Sequence, residues 1–251
     1  GTEMIVWGGY NGNIYFNTSK LADYGKLAKL DLTTEVKARV EKDQNKKNPH
    51  DFVLWFTKSK FDRQEMKWDS PWGEGYPGWH IECSAMATKY LGSQFDIHCG
   101  GIDHISVHHT NEIAQSETAL GVCPWVKYWL HNEFLVIPSG EKMAKSGNNF
   151  LTLSALKTKG INPLDYRYFC LGTHYRNPLM FNFEALEGAK SARRKLNDKF
   201  LELKKEISKS QMTTKNTPSL SPQATYYLQQ FTSDISDDMN IPKALAIIWE
   251  T

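Results

Sequence analysis

No run in the 251-residue chain approaches the roughly eighteen consecutive apolar residues that carry a helix across a bilayer. The opening Gly1-Thr2-Glu3-Met4 lacks the basic, apolar and small-residue order of a secretory signal, so a cytoplasmic protein with no membrane partner is expected. Cysteine is scarce. Cys83, Cys99, Cys123 and Cys170 lie far apart with no Cys-x-x-Cys pair, which excludes a disulfide framework and a zinc ribbon. Charge of one sign is also lacking: 30 Lys and Arg face 28 Asp and Glu, a formal net charge of +2. Bulk charge therefore demands neither nucleic acid nor an anionic membrane, and any such partner must be met locally. What is present is 40% hydrophobic, 23% charged and 12% aromatic, a balance that excludes disordered, collagen-like and coiled-coil classes and leaves enough chain for a proper core.

The first sixty residues mix short β-type pieces, 14–16 and 53–56, with a Lys- and Asn-rich stretch over 41–49. They hold no strand, Gly-rich turn and helix of the kind that opens a nucleotide-binding sheet, so a small irregular module is expected. From Lys67 the sequence crowds Trp68, Trp72, Gly73, Gly75, Gly78 and Trp79 into a turn-rich aromatic segment. Helical patterns over 81–90 and 107–119 flank a strand-like piece, 95–98, and another strand is expected over 134–137. Strands alternating with helices predict an α/β fold. Short helices broken at Gly160 and Pro163 follow, then a long amphipathic helix over 183–208. Its apolar stripe, Leu196, Phe200, Leu203 and Ile207, is expected to pack into a core. Between Lys190 and Lys209, eight Lys or Arg outnumber three acids, which suits either a solvated face or contact with a phosphate backbone. A polar linker over 208–221 leads to helical patterns at 222–234 and 242–250.

Two constellations carry chemistry. Cys83, His108 and Glu112 offer a thiolate, an imidazole and a carboxylate, the last two four residues apart on one helical face. That donor set suits zinc, and three protein ligands leave a position for a substrate. His98, His104 and His109 crowd the same segment, and hydrogen bonding in a polar pocket explains such histidines equally well. Lys142-Met143-Ala144-Lys145-Ser146, between Gly140 and Gly147, is either a solvated loop or one that closes ammonium groups over a polyphosphate.

The segment Pro77-Gly78-Trp79-His80-Ile81-Glu82-Cys83-Ser84-Ala85-Met86-Ala87 closely resembles its counterpart in cysteinyl-tRNA synthetases. Phe95 to Asp103 is similar to their Phe-Asp-Ile-His-Gly-Gly-Gly-x-Asp run, and His108 to Ser116 to their His-His-Glu-Asn-Glu-Ile-Ala-Gln-Ser run. Lys142 to Ser146 resembles the KMSKS loop of class I synthetases, Lys47 to Trp55 the run ending Asp-Phe-Val-Leu-Trp, and Asp237 to Pro242 the run Asp-Asp-Phe-Asn-Thr-Pro. Several long motifs in the right order span almost the whole chain.

The resemblance implies a class I, Rossmann-type α/β catalytic domain, of which this chain is the second half, with an insertion module and an α-helical tRNA-side region. By position, 1–61 would be the insertion, 62–150 the second Rossmann half, 151–215 a stem-contact region and 216–251 the start of a helical bundle. It implies that Cys83, His108 and Glu112 are three of the four ligands of one Zn²⁺, the fourth being expected upstream and missing from this sequence, and that Trp79 lines the cysteine pocket. Lys145, assisted by Lys142, would be catalytic and would contact ATP, together with His98 and Asp103. Substrates would be L-cysteine, ATP with Mg²⁺, and cysteine tRNA, and the protein a monomer. A related cysteine ligase with an amino-sugar acceptor, and a non-catalytic remnant that binds tRNA or zinc, are alternatives. The sequence departs from the family in having no His-Ile-Gly-His motif and no cysteine before Cys83, so a fragment of a longer enzyme, or a numbering that omits an N-terminal portion, is expected. Ala144 replaces a serine, Thr110 a glutamate, and Cys99 a glycine beside His98; Cys99 would bring a rival thiol near the metal ligands.

Overall fold

The computed structural model describes residues 5–9, 11–31, 45–58, 64–138, 152–209 and 220–250. It forms two compact units, Gly1–His131 and Asn132–Thr251.

The first unit opens with a four-stranded antiparallel sheet in the order β1 (Val6–Gly8), β2 (Ile14–Phe16), β3 (Phe52–Phe56) and β4 (Tyr76–Pro77). All of β2 is buried, and Phe16 stacks on Phe52 at 5.0 Å. The loop before β3 is pinned by Asp51, fully buried, whose carboxylate accepts from the Thr18 amide and hydroxyl and from the Asn48 amide. A buried carboxylate needs such donors to offset its desolvation. The aromatic segment expected to be turn-rich is a hairpin in which Trp68 and Gly75 exchange backbone hydrogen bonds.

From β4 the chain passes Gly78 into α1 (Trp79–Leu91). A Cβ on Gly78 would lie 2.0 Å from the Val53 carbonyl oxygen, so only glycine lets the start of α1 sit this close to β3. Next come β5 (Phe95–Gly101), a 3-10 turn over Ile102–His104, a π-helical turn over Ile105–His109 and α2 (Thr110–Leu120). Strand β6 (Val126–Asn132) is hydrogen-bonded to β5. It lies before the strand expected over 134–137, which forms over its two central residues as β7 (Leu135–Val136). Phe95, Trp125 and Val126 are the core beneath β5 and β6, and Phe16, Tyr24, Phe52 and Ala114 the core between the antiparallel sheet and α2.

The second unit holds β7, paired in parallel with β8 (Leu179–Met180), and helices α3 (Leu153–Thr158), α4 (Pro163–Leu171), α5 (Phe183–Lys209), α6 (Pro222–Ser236) and α7 (Ile241–Glu250). Pro163 opens α4, where its missing N–H costs nothing, behind an Asn162–Asp165 capping box. Leu156, Ile161, Phe169, Phe181 and Leu186 form its core. The apolar stripe of α5 departs from expectation: Phe200, Leu203 and Ile207 are 62%, 46% and 66% exposed. The reason is length. At about 1.5 Å per residue α5 runs about 40 Å and α4 only about 14 Å, so α4 covers the start of α5 around Leu186 and Ala189 and leaves the rest uncovered by described residues. No helix of the described residues is long and apolar enough to cross a membrane.

Candidate metal and substrate site

The site grows from the crossing of α1 and α2. Gln115 on α2 donates to the His80 carbonyl at 2.7 Å and to Ser84 Oγ at 2.6 Å, and Ser116 Oγ donates to Ser84 Oγ at 2.9 Å. These small, buried polar residues hold the two helices close and fix Cys83, next to Ser84, against the start of α2.

The chain is buried without a break from His108 in the π-helical turn to Ser116 in α2. Thr110 ties off the turn by donating its hydroxyl to the Ile105 carbonyl at 2.7 Å. His108 and His109, four and three residues before Glu112, share its helical face, and Glu112 Oε2 lies 3.7 Å from His108 Nε2 and 3.9 Å from His109 Nε2.

Glu112 is fully buried, and its Oε1 has no hydrogen-bond partner. Such an orphaned carboxylate oxygen is costly unless a cation or donor meets it. Cys83, His108 and Glu112 each bring one ligand atom, all within 4.8 Å of one another. Bonds of 2.0 to 2.3 Å in a tetrahedron separate ligand atoms by about 3.3 to 3.6 Å, so a modest contraction closes the set on zinc. The residues fit that ion by donor chemistry, spacing and the unmet oxygen.

Burial and neighbouring charges set the protonation of these groups. Burial, then the Glu112 and Glu82 carboxylates, push the Cys83 thiol up. Burial, then His104 and His98, lower His108 to about 4, and burial with four neighbouring imidazoles lowers His109 to about 3. Burial, then His108 and Lys46, lower His80 to about 3. Neutral imidazoles are the ligating form.

Trp79, half exposed at the start of α1, stacks on His108 with centroids 4.1 Å apart and planes 14° from parallel. His98 on β5 places Nε2 2.9 Å from Glu112 Oε2. Asp103 sits half-buried in the turn that follows β5. Cys99 is exposed and belongs to no ligand group among the described residues. It follows His98 in the strand and so faces the other side of β5, which removes the rival thiol. Lys142 and Lys145 lie outside the described residues.

Three neighbours escaped the sequence reading. His80 Nδ1 lies 2.9 Å from His108 Nδ1, His131 Nε2 lies 2.8 Å from His109 Nδ1, and Gln115 bridges the helices. Only Gln115 carried a signal, since it follows Glu112 by three and shares its face of α2.

The chain matches known proteins. The family model for tRNA synthetases class I (C), catalytic domain, matches residues 4–191, and the chain belongs to that family. A cysteine–tRNA ligase of Treponema denticola is 51% identical over 248 residues, covering 94% of this chain and 50% of the relative. That of Borrelia hermsii is 47% identical over 246 residues, covering 96% of this chain and 51% of the relative. The chain thus spans about half the length of the curated relatives it matches. Among solved structures, a LeuRS of Agrobacterium radiobacter K84, in a ternary complex with tRNA and LeuAMS, superposes with a TM-score of 0.54 at 15% identity, covering 78% of this chain and 30% of that one. That likeness extends the fold assignment and nothing more.

Proposed function

We propose that the chain is the part of a cysteine–tRNA ligase that selects cysteine and faces the tRNA. The observation that carries this reading is the convergence of Cys83, His108 and the orphaned Glu112 on one point beside Trp79, in a chain whose relatives are named cysteine–tRNA ligases.

Zinc held by Cys83, His108 and Glu112 would supply an open position that a substrate thiolate fills far better than a serine hydroxyl. The chain's own residues do the rest. Trp79 walls the pocket and keeps the His108 ring oriented. The Gln115, Ser84 and Ser116 hydrogen bonds hold Cys83 in register with α2. Selectivity by ligation exceeds the roughly hundredfold that an apolar pocket gains from a small isosteric change. The cysteine carboxylate then attacks the α-phosphate of ATP, releasing pyrophosphate and giving cysteinyl-adenylate, and a terminal ribose hydroxyl at the 3′ end of tRNA attacks its acyl carbon, releasing AMP. Lys145 and Lys142 are assigned to charge on the departing phosphates. Asp103 and His98 are assigned to the nucleotide. With His98 Nε2 turned to Glu112, its contact with ATP falls to Nδ1.

The surplus of Lys and Arg over 190–209 on the exposed length of α5 supports an RNA acceptor over an amino-sugar. The assignment of 1–61 to an insertion, 62–150 to the second Rossmann half, 151–215 to stem contact and 216–251 to a helical bundle belongs to the same proposal, as do monomeric state and cytoplasmic location. Cysteine-dependent ATP–pyrophosphate exchange by the full-length protein, with serine as control, tests the reading. Exchange with cysteine alone supports it; equal exchange with serine would overturn it.

A further inference from the structure

The buried carboxylate of Glu112 belongs to two donor sets. One adds Cys83 and His108. The other adds His98 and His109, whose ligand atoms also fall within 4.8 Å of one another and of Glu112. Here Oε2 lies 2.9 Å from His98 Nε2 and 3.9 Å from His109 Nε2. A tetrahedral ion with bonds near 2.0 to 2.2 Å keeps nitrogen and oxygen ligands about 3.3 to 3.5 Å apart, so the two contacts with Glu112 need shifts of about 0.6 Å or less, and His98 and His109 close from within 4.8 Å.

Three further observations point to a ligand rather than to packing. His109 is 1% exposed and Glu112 0%, and burying several imidazoles against one carboxylate is expensive unless something satisfies them. His109 Nδ1 lies 2.8 Å from His131 Nε2. The tautomer that donates Nδ1–H to His131 leaves the Nε2 lone pair facing Glu112, the outer-shell arrangement common to metal-bound histidines. Finally, Oε1 of Glu112 has no hydrogen-bond partner while Oε2 meets His98 at 2.9 Å, so the carboxylate keeps an unmet oxygen for an ion. Gly100 keeps the histidine side open: a Cβ there would stand 2.5 Å from His109 Cε1 and 2.7 Å from His104 Nδ1.

We infer that His98, His109 and Glu112 form a second divalent-cation position, independent of Cys83 and built from nitrogen and oxygen donors alone. Imidazole and carboxylate without thiolate suit Zn²⁺, Co²⁺ and Ni²⁺. The position shares its carboxylate with the Cys83–His108 set, so filling it changes how strongly that set holds its own ion. The inference goes beyond the ligase reading and does not rest on it.

Co²⁺ titration of the chelator-stripped chain, followed by absorption, tests it. The wild-type chain should take up two equivalents, one with a thiolate-to-cobalt charge-transfer band in the near ultraviolet and one with ligand-field bands only. Cys83→Ser should lose the charge-transfer band and keep the second equivalent. Adding His98→Gln and His109→Gln should abolish that remaining equivalent. His131→Ala, which removes only the outer-shell partner, should weaken the second equivalent about 10-fold or more while the charge-transfer band persists. The inference is overturned if Cys83→Ser, with native far-ultraviolet circular dichroism, binds no Co²⁺, or if binding survives the two glutamine substitutions. Should Cys83→Ser fail to fold, wild type decides alone: a single equivalent, entirely thiolate-ligated, contradicts the inference. A wild-type titration without any thiolate band would count against the Cys83 zinc set and leave this second position standing.

Discussion

The indole of Trp79 covers the imidazole of His108 face to face, with centroids 4.1 Å apart. The pair joins the first residue of α1 to the last turn before α2, so one half-exposed ring packs against a candidate metal ligand and holds it in place. Trp79→Ala should therefore loosen His108 and lower zinc affinity by about 10-fold, as loss of a supporting contact does. Global stability should fall by no more than about 1.5 kcal/mol, because the ring is half exposed. Competition with a chelator and urea unfolding measure the two effects separately. Unchanged zinc affinity would show that the stacking is incidental.

His80, His108 and His109 dictate the pH response of the metal-free chain. Burial and neighbouring positive or imidazole groups lower them to about 3, about 4 and about 3, while an unfolded histidine titrates near about 6.5. Below that pH the unfolded chain binds protons that the folded chain refuses, so stability falls as pH drops from about 6.5 toward 4. In the presence of chelator, the urea midpoint at pH 5 should lie well below that at pH 7.5. A midpoint independent of pH over this range would contradict the buried, neutral state of these rings.

Arg193 counts toward the positive surplus on α5, yet its Nε donates to the buried Asp165 at 2.6 Å. Asp165 is also the carboxylate of the α4 capping box. Asp165→Ala should cost about 3 kcal/mol, since it strands a charge and a cap together. Arg194→Ala, one residue further on and 83% exposed, should cost less than about 0.5 kcal/mol. Thermal unfolding of the two variants makes the comparison, and equal losses would refute it.

If the exposed length of α5 meets the phosphate backbone, replacing Lys204 and Lys205 together with Ala should weaken cysteine tRNA binding and flatten its salt dependence. Two lost phosphate contacts lower the slope of log K against log salt by about 1.4 to 1.8. Filter binding across a salt series reads this directly, and a slope identical to wild type would place the RNA elsewhere.

The outline of the site was legible in the sequence because its chemistry is local. His108 and Glu112 lie one helical turn apart, and the Cys83 segment and the run from His108 carry long family motifs. What was not legible is long-range or depends on backbone irregularity. The π-helical turn over Ile105–His109 leaves no mark on the periodicity, and the approach of His131 to His109 joins residues 22 apart through β6. Strand β6 itself escaped because Lys127, His131 and Asn132 break the apolar signature of a strand, although pairing with β5 settles it. The apolar stripe of α5 misled for the opposite reason. Periodicity states which face of a helix is apolar and says nothing of whether a neighbour is long enough to cover it.

The account stands most directly on which atoms would surround the proposed zinc. X-ray absorption at the zinc edge, on the zinc-loaded chain, should show one sulfur near about 2.3 Å from Cys83 with nitrogen and oxygen near about 2.0 to 2.2 Å. A second sulfur should appear on adding L-cysteine and should not on adding L-serine. A shell without sulfur, or one that L-cysteine leaves unchanged, would contradict the claim that this cluster selects its substrate by its thiolate.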